Sequence, residues 1–214
     1  MDDATRKKML RLGTRLSHED GFRILAQGNQ DGHVVVLLSG VVKVVAAGEN
    51  GDVALLAIRV GGDVVGELAA YDGNPRSADV IACGEVVARS VPRAAWTRFV
   101  EHTPKVHAPL LRMGSERFRW ADQRRVEFVA NGSYSRVARV LVELAKTCGC
   151  PTDARCTLPF ALTPVELGSL AGIKGRTAER HLSALKSAGL LVSGSGQTVL
   201  PNVAALRAVA ESGR

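Results

Sequence analysis

From Arg23 to Ala47 the chain sets runs of β-branched residues between glycines: "RILAQGNQDGHVVVLLSGVVKVVAA". Valine-rich runs bounded by "NQDG" and "LSG" predict short strands joined by tight turns. The Asn-Gly pair in "ENGD", residues 49–52, predicts a hairpin turn. Val53–Val60, Val64–Leu68, Ala78–Cys83 and Val86–Val91 continue the pattern. Several short strands at this spacing point to a small barrel or sandwich. The preceding residues, 1–25, are charged and weakly periodic, and predict a short helical lead-in. Within the strand-rich stretch, "GDVVGELAAYDGNPRSADV" places a carboxylate, Glu67, and a guanidinium, Arg76, among apolar residues. A buried charge needs a partner, so this pair requires an explanation.

The period changes near Pro92. "PRAAWTRFVEHTP" has helical spacing, with Trp96, Phe99 and Val100 on one face. After Pro104 a long helix is predicted to about Ala130. Its Leu111, Gly114, Phe118, Ala121, Arg125 and Phe128 follow a heptad-like three-four spacing, interrupted by Gly114 and Arg125. Such a seam suits either a dimer helix or an amphipathic helix packed on its own domain. "NGS" at 131–133 predicts a break, and Ser135–Lys146 a second helix with Val137, Val140, Leu141 and Leu144 on one face. The Cys/Pro/Gly stretch to Pro159 reads as a loop.

Residues 162–200 read as one unit, "LTPVELGSLAGIKGRTAERHLSALKSAGLLVSGSGQTVL". Thr163 suits an N-cap, Pro164 the first helical position, and Glu166 completes a capping box. "AGI" makes the turn, with Gly172 where a left-handed residue helps. A second helix, about Gly175 to Ala188, turns Ala178, Leu182 and Leu185 inward. Its other face offers Lys174, Arg176, Thr177, Arg180 and Lys186. This is the order of a helix-turn-helix, whose second helix enters the DNA major groove. Arginine can bond guanine through two hydrogen bonds, while threonine and lysine reach base edges or phosphate. "GLLVSGSGQTVL" then reads as two short strands, the wing of a winged helix. The competing reading is a helical hairpin with a solvated basic face.

Charge agrees with the DNA reading. The 214 residues carry a net charge of +7, with a pI near 9.6. Residues 131–214 hold ten Lys and Arg against five Asp and Glu. Such a balance favours an acidic partner, nucleic acid first. No apolar run reaches the length that spans a bilayer, and "MDDATRKKML" lacks the basic-then-apolar order of a secretory signal. A cytoplasmic protein without a membrane partner is expected.

Four cysteines are too few for a disulfide scaffold at this length. Cys83 is expected in the core. Cys148, Cys150 and Cys156 cluster in "TCGCPTDARC", which suits either a three-thiolate metal or redox site or a turn with incidental thiols. His18, His33, His102, His107 and His181 are scattered without ligand spacing. An enzyme built on a cupin-like roll would need a metal triad or a nucleophile–base pair, so no catalytic or metal residue is expected.

With both ends read, the chain resembles the Crp/Fnr family of bacterial transcription regulators over nearly its whole length. The resemblance rests on "LLSGVVKV" at 37–44, "GELAAYDGNPRSADV" at 66–80, the long helix, the hinge and the winged helix-turn-helix. It implies an α+β architecture. A sensor β-roll of the cyclic-nucleotide-binding, jelly-roll type would occupy residues 1–103. A long dimerisation helix would span 104–130 and a winged-helix DNA-binding domain 131–214. It further implies a homodimer on a near-two-fold promoter operator, with RNA polymerase as a further partner. No cofactor is required, but a cyclic nucleotide, cAMP or cGMP, is a possible effector.

Carried across, Glu67 would accept from the ribose 2′-hydroxyl and Arg76 would pair with the cyclic phosphate. Ser77 and the backbone near Gly66, Leu68 and Ala78 would assist. The alternative makes Glu67 and Arg76 partners that hold the roll together without ligand. Nucleotide-responsive members place two hydroxyl residues of the long helix against adenine; an ungapped match puts Ala121 and Asp122 there. Alanine cannot donate, and aspartate only accepts when ionised. The familiar Arg-Glu-Thr…Arg of the recognition helix becomes Gly175-Arg176-Thr177…Arg180. The cysteines that hold an iron–sulfur cluster in one branch are absent, and no haem-ligand pattern stands out.

The expected function is therefore a sequence-specific transcription regulator with a small-molecule sensor domain. One alternative is a cyclic-nucleotide-binding module acting on a protein partner. Another is a ligand-independent regulator.

Overall fold

Alternation along one strand builds both layers of the N-terminal core. The structure, a computed structural model, describes residues 2–151, 153–194 and 196–213. β1 (Thr14–His18), β2 (Arg23–Leu25), β3 (Val34–Ala47), β4 (Val53–Val60), β5 (Val64–Val65) and β6 (Asp79–Val91) form an antiparallel sheet of order β1-β6-β3-β4. β2 also pairs with β6, and β5 with β3. Successive side chains of a strand face opposite ways. Val34 and Val36 thus pack with Met9, Trp96, Phe99 and Val100 of the flanking helices α1 (Asp3–Met9) and α3 (Arg93–Glu101). Val35 and Leu37 pack with Leu25, Val80, Val86 and Ala88 inside the roll.

Several local expectations change. Helix in the lead-in stops at Met9; β1 and β2 follow, with Leu16 opposite Ala88. β1 is exposed over most of its length, so no apolar run marks it. "LSG" is not a turn. β3 is one strand of 14 residues, and its pairing with β6 shifts register between Leu37, Ser39 and Val41. A bulge bends a strand without ending it. For the same reason Ala78–Cys83 and Val86–Val91 are parts of one strand, β6, in which Cys83 is half-buried. The strand read at Val64–Leu68 stops at Val65, and α2 (Glu67–Asp72) begins at once. The hairpin at "ENGD" forms, with Gly48 N–H donating to Asp52 O at 2.8 Å.

The long helix is α4 (His107–Ala130), entered through a 3-10 turn at Pro104–Val106. Two compact units divide within it: Met1–Ala47 with Arg59–Asp122, and Gly48–Ile58 with Gln123–Arg214. All six seam residues, Leu111, Gly114, Phe118, Ala121, Arg125 and Phe128, are exposed. From Leu111 to Ala121 the seam finds no cover on its own domain. Phe128 instead turns to Gly172, and Arg124 and Arg136 lie over its ring at 5.9 and 5.4 Å.

The second unit is built on α5 (Ser133–Thr147), whose Val137, Leu141 and Leu144 are buried. α6 (Pro164–Ala171) and α7 (Gly175–Ser187) follow, then the wing strands β8 (Val192–Gly194) and β9 (Gln197–Leu200). The stretch read as loop to Pro159 contains β7 (Cys156–Leu158), which pairs with β9, Cys156 opposite Leu200. α8 (Val203–Glu211) was not expected, although Asn202 caps it by accepting from Ala205 N–H at 2.9 Å. Ser195 in the wing turn and Thr152 in the cysteine stretch lie outside the described residues.

Gly172 closes α6 with φ +64°, and an added Cβ would sit 2.5 Å from Phe128 Cε1. Gly172→Ala combines left-handed strain with displacement of that ring. It should cost about 2 kcal/mol, measured as a fall in the thermal unfolding midpoint. An unchanged midpoint would show that neither the turn nor the ring matters.

Candidate ligand cassette and DNA-reading helix

The cassette begins where β5 ends. Gly66, φ +79°, turns the chain into α2, and a Cβ there would lie 2.5 Å from Arg76 Nη1. Only glycine lets the arginine pass so close. Arg76 is buried, its side chain 2% exposed. Its Nε donates to Asp31 Oδ1 at 2.8 Å, Nη1 to Gly66 O at 2.8 Å, and Nη2 to His33 O. Backbone bonds reinforce this contact: Arg76 N–H donates to Asn29 O at 2.8 Å, and Gly28 N–H to Arg76 O at 2.9 Å. The polar loop before β3 is thereby clasped onto the cassette.

Glu67 is not Arg76's partner. The direct pair expected of the ligand-free alternative does not form, because each charge finds another. Arg76 turns under Gly66 toward the 31–33 loop. Glu67, the first residue of α2, meets Arg117 of α4 through Oε1 and Nη1. Arg117 Nη2 also donates to Val64 O at 2.7 Å and lies 3.6 Å from Asp63 Oδ1. Arg59 joins this group. Burial, and then the neighbouring Arg117, hold its guanidinium down at about 10, so it stays charged at neutral pH. Burial likewise lowers the His33 imidazole, against the pull of Asp31. Of the other residues expected here, Leu68, Ser77 and Ala121 are exposed, Asp122 is half-buried and Ala78 is buried.

In the second unit, Thr163 and Glu166 form the capping box. Glu166 N–H donates to Thr163 Oγ1 at 3.2 Å, and Thr163 N–H to Glu166 Oε2 at 2.8 Å. The threonine side chain thus holds the start of α6. Beyond Gly172, Lys174 is the N-cap position of α7. Arg176, Arg180 and Lys186 are exposed, Thr177 is half-buried, and Ala178 and Leu185 are buried. Arg176 and Arg180 are four residues apart and so share a face.

The cysteines divide as well. Cys150 and Cys156 are joined in a disulfide, with Cα atoms 5.5 Å apart, while Cys148 is a free thiol pushed up to about 11 by burial. Among the described residues no group of His, Cys, Asp or Glu is placed to hold a metal ion. No helix there is long and apolar enough to cross a membrane.

Two family descriptions match the chain: a cyclic nucleotide-binding domain over residues 15–103 and a Crp-like helix-turn-helix domain over 135–209. The chain belongs to the Crp/Fnr family of transcription regulators. A CRP-like cAMP-activated global transcriptional regulator of Mycobacterium tuberculosis is 27% identical over 163 residues, 76% of this chain and 73% of that one. The cyclic AMP receptor protein of Thermus thermophilus is 26% identical, over 92% of this chain and 88% of its own. Among solved structures, FixK2 from Bradyrhizobium japonicum aligns with a TM-score of 0.76 at 22% identity, covering 92% of this chain and 97% of that one. A Crp/Fnr regulator from Thermus thermophilus gives 0.74 at 23%, covering 94% and 100%. This Crp-like regulator therefore joins a cyclic-nucleotide-binding type of sensor domain to a helix-turn-helix domain. The family is one of regulators rather than enzymes.

Against the family pattern, Gly175 in place of the first recognition arginine has a packing cause. A Cβ at 175 would meet Val165 Cγ2 at 2.9 Å. The position faces α6, while its neighbours Lys174 and Arg176 face outward. Reading the sequence missed three cassette residues. Arg117 was within reach, since it lies one helical turn before Ala121. Asp31 and Arg59 carried no local signal of their role.

Proposed function

We propose that the protein is a homodimer that reads a near-two-fold operator, with one α7 per half-site. It does so in the cytoplasm, at promoters where RNA polymerase is a further partner. Residues 1–103 are its sensor, 104–130 its dimerisation helix and 131–214 its DNA-binding part. The observation that carries this is the exposed basic edge of α7, Arg176 and Arg180, set behind the capped α6 and the Gly172 turn. Lys174, Thr177 and Lys186 extend the contact toward bases and phosphates, and Thr163 holds its entry helix in place. The uncovered seam of α4 supports the dimer. Leu111 is 73% exposed and Phe118 68%.

The experiment is a fluorescence-anisotropy titration against upstream DNA at several salt concentrations. Arg180→Ala should lower specific affinity tenfold or more, since a bidentate guanine contact contributes ~1–3 kcal/mol of discrimination. The logarithm of the wild-type affinity should fall linearly with that of the salt. Unchanged binding by the variant would remove α7 as the reading element.

The sensor's effector, on the same reading, is a cyclic nucleotide, cAMP or cGMP, whose phosphate meets Arg76 and whose ribose meets Glu67. Gly66, Leu68, Ser77 and Ala78 frame it, and Ala121 and Asp122 face the base. Both clamp charges already have internal partners, which favours a second reading in which the regulator works without nucleotide. Calorimetric titration with cAMP and cGMP separates the two: heat and a changed operator affinity support the effector, and neither supports the ligand-free regulator.

A further inference from the structure

We propose that Asp31 is a built-in competitor for the cassette arginine: its carboxylate holds Arg76 where a cyclic phosphate would, and so sets the affinity for nucleotide. The proposal rests on the reading of the cassette as a cyclic-phosphate site. Asp31 Oδ1 accepts from Arg76 Nε at 2.8 Å, a charge-assisted bond of the kind a phosphate oxygen would make. The other two acceptors of Arg76, Gly66 O and His33 O, are backbone carbonyls and carry no charge. Asp31 is thus the one anion bonded to this guanidinium among the described residues.

Exposure gives the contact its direction. The Arg76 side chain is 2% exposed but that of Asp31 is 45% exposed. Asp31 is therefore the wet edge of the pair, from which an incoming anion must approach. It sits on the loop just before Gly32, and its other oxygen lies 3.3 Å from His33 Nδ1. Once displaced, the carboxylate returns to water, whereas the arginine cannot move without leaving His33 O unsatisfied and Gly66 O with only its weaker bond from Ala70 N–H.

Charge counting points the same way. The cassette gathers Arg59, Arg76 and Arg117 against Asp31, Asp63 and Glu67. Three cations face three anions, so these six side chains already sum to neutral. A cyclic phosphodiester brings one negative charge. With Asp31 in place that charge is in excess; with Asp31 gone it restores the balance. An internal anion tethered next to its cation is also present at a high effective concentration, which a free nucleotide must overcome.

The test is calorimetric titration of the protein with cAMP and with cGMP, comparing wild type, Asp31→Asn and Asp31→Ala. Asparagine keeps a neutral acceptor for Nε and guards against loss of the loop. Affinity for at least one nucleotide should rise tenfold or more in Asp31→Ala, with Asp31→Asn between it and wild type. The same nucleotide should raise the unfolding midpoint of Asp31→Ala more than that of wild type. Equal affinity in all three proteins would overturn the role of Asp31 while leaving the cassette a nucleotide site. Absence of binding in all three would overturn both. Operator binding by the same preparations, read in parallel, belongs to the DNA-reading proposal and stands or falls separately.

Discussion

Replacing Leu111 and Phe118 together by aspartate should convert the protein to a monomer at micromolar concentration. Both side chains are mostly exposed on α4, at 73% and 68%, as are Val126 and Val129 further along. Exposed large apolar residues recurring along one helix are a surface that a partner covers. In a two-fold dimer each substitution acts twice, because the same patch meets itself. Burying a Leu or Phe side chain contributes about 1.5–3 kcal/mol. Four lost contacts therefore remove about 6–12 kcal/mol of gross association energy, before the four new carboxylates repel one another. The dissociation constant should rise at least a thousandfold. Sedimentation velocity or light scattering after size exclusion reads the mass directly. Specific operator affinity should fall with it, since a monomer engages one half-site. A variant that remains dimeric would place the interface elsewhere.

The helix-turn-helix was legible because its signals are local. The Thr163–Glu166 box, Gly172 and the basic edge of α7 each lie within a few residues of what they determine. The β-roll was legible in kind but not in detail. A bulge at Ser39 and a turn at Gly40 look alike in sequence, since both need a small residue amid valines. Only the pairing of β3 with β6 tells them apart. β1 was missed because it is solvent-exposed over most of its length, and an exposed strand needs no apolar run. The cassette was recognisable from "GELAAYDGNPRSADV", yet its electrostatics were not. Asp31 stands 45 residues before Arg76, and Arg117 stands 50 after Glu67. No spacing rule spans such distances. "NQDG" carried an ordinary turn meaning that hid its second role. The cysteine stretch behaves alike: nothing local decided that Cys150 would meet Cys156 rather than Cys148.

Arg76→Met should destabilise the protein by about 3 kcal/mol even with no nucleotide present. Methionine fills much of the arginine's volume and so limits the cavity contribution. What it removes is a set of donors. His33 O loses its Nη2 partner, while Gly66 O keeps a weaker bond from Ala70 N–H at 3.3 Å. An unsatisfied buried acceptor costs about 1–3 kcal/mol. Asp31 loses its cation, but at 45% exposure it can hydrate, so the full penalty of an orphaned buried charge does not apply. For a chain of this size, 3 kcal/mol corresponds to a fall of roughly 6–12 °C in the unfolding midpoint. Differential scanning calorimetry without ligand is the measurement. Arg76→Lys should recover only part of the loss, because an ammonium has no planar fork to serve three acceptors in three directions. If Arg76→Met melts with the wild type, the arginine contributes nothing to the stability of the fold and its bonds to the 31–33 loop are idle. The expected loss instead makes Arg76 structural before it is a ligand residue, so any phosphate it receives must enter a network that already holds the roll together.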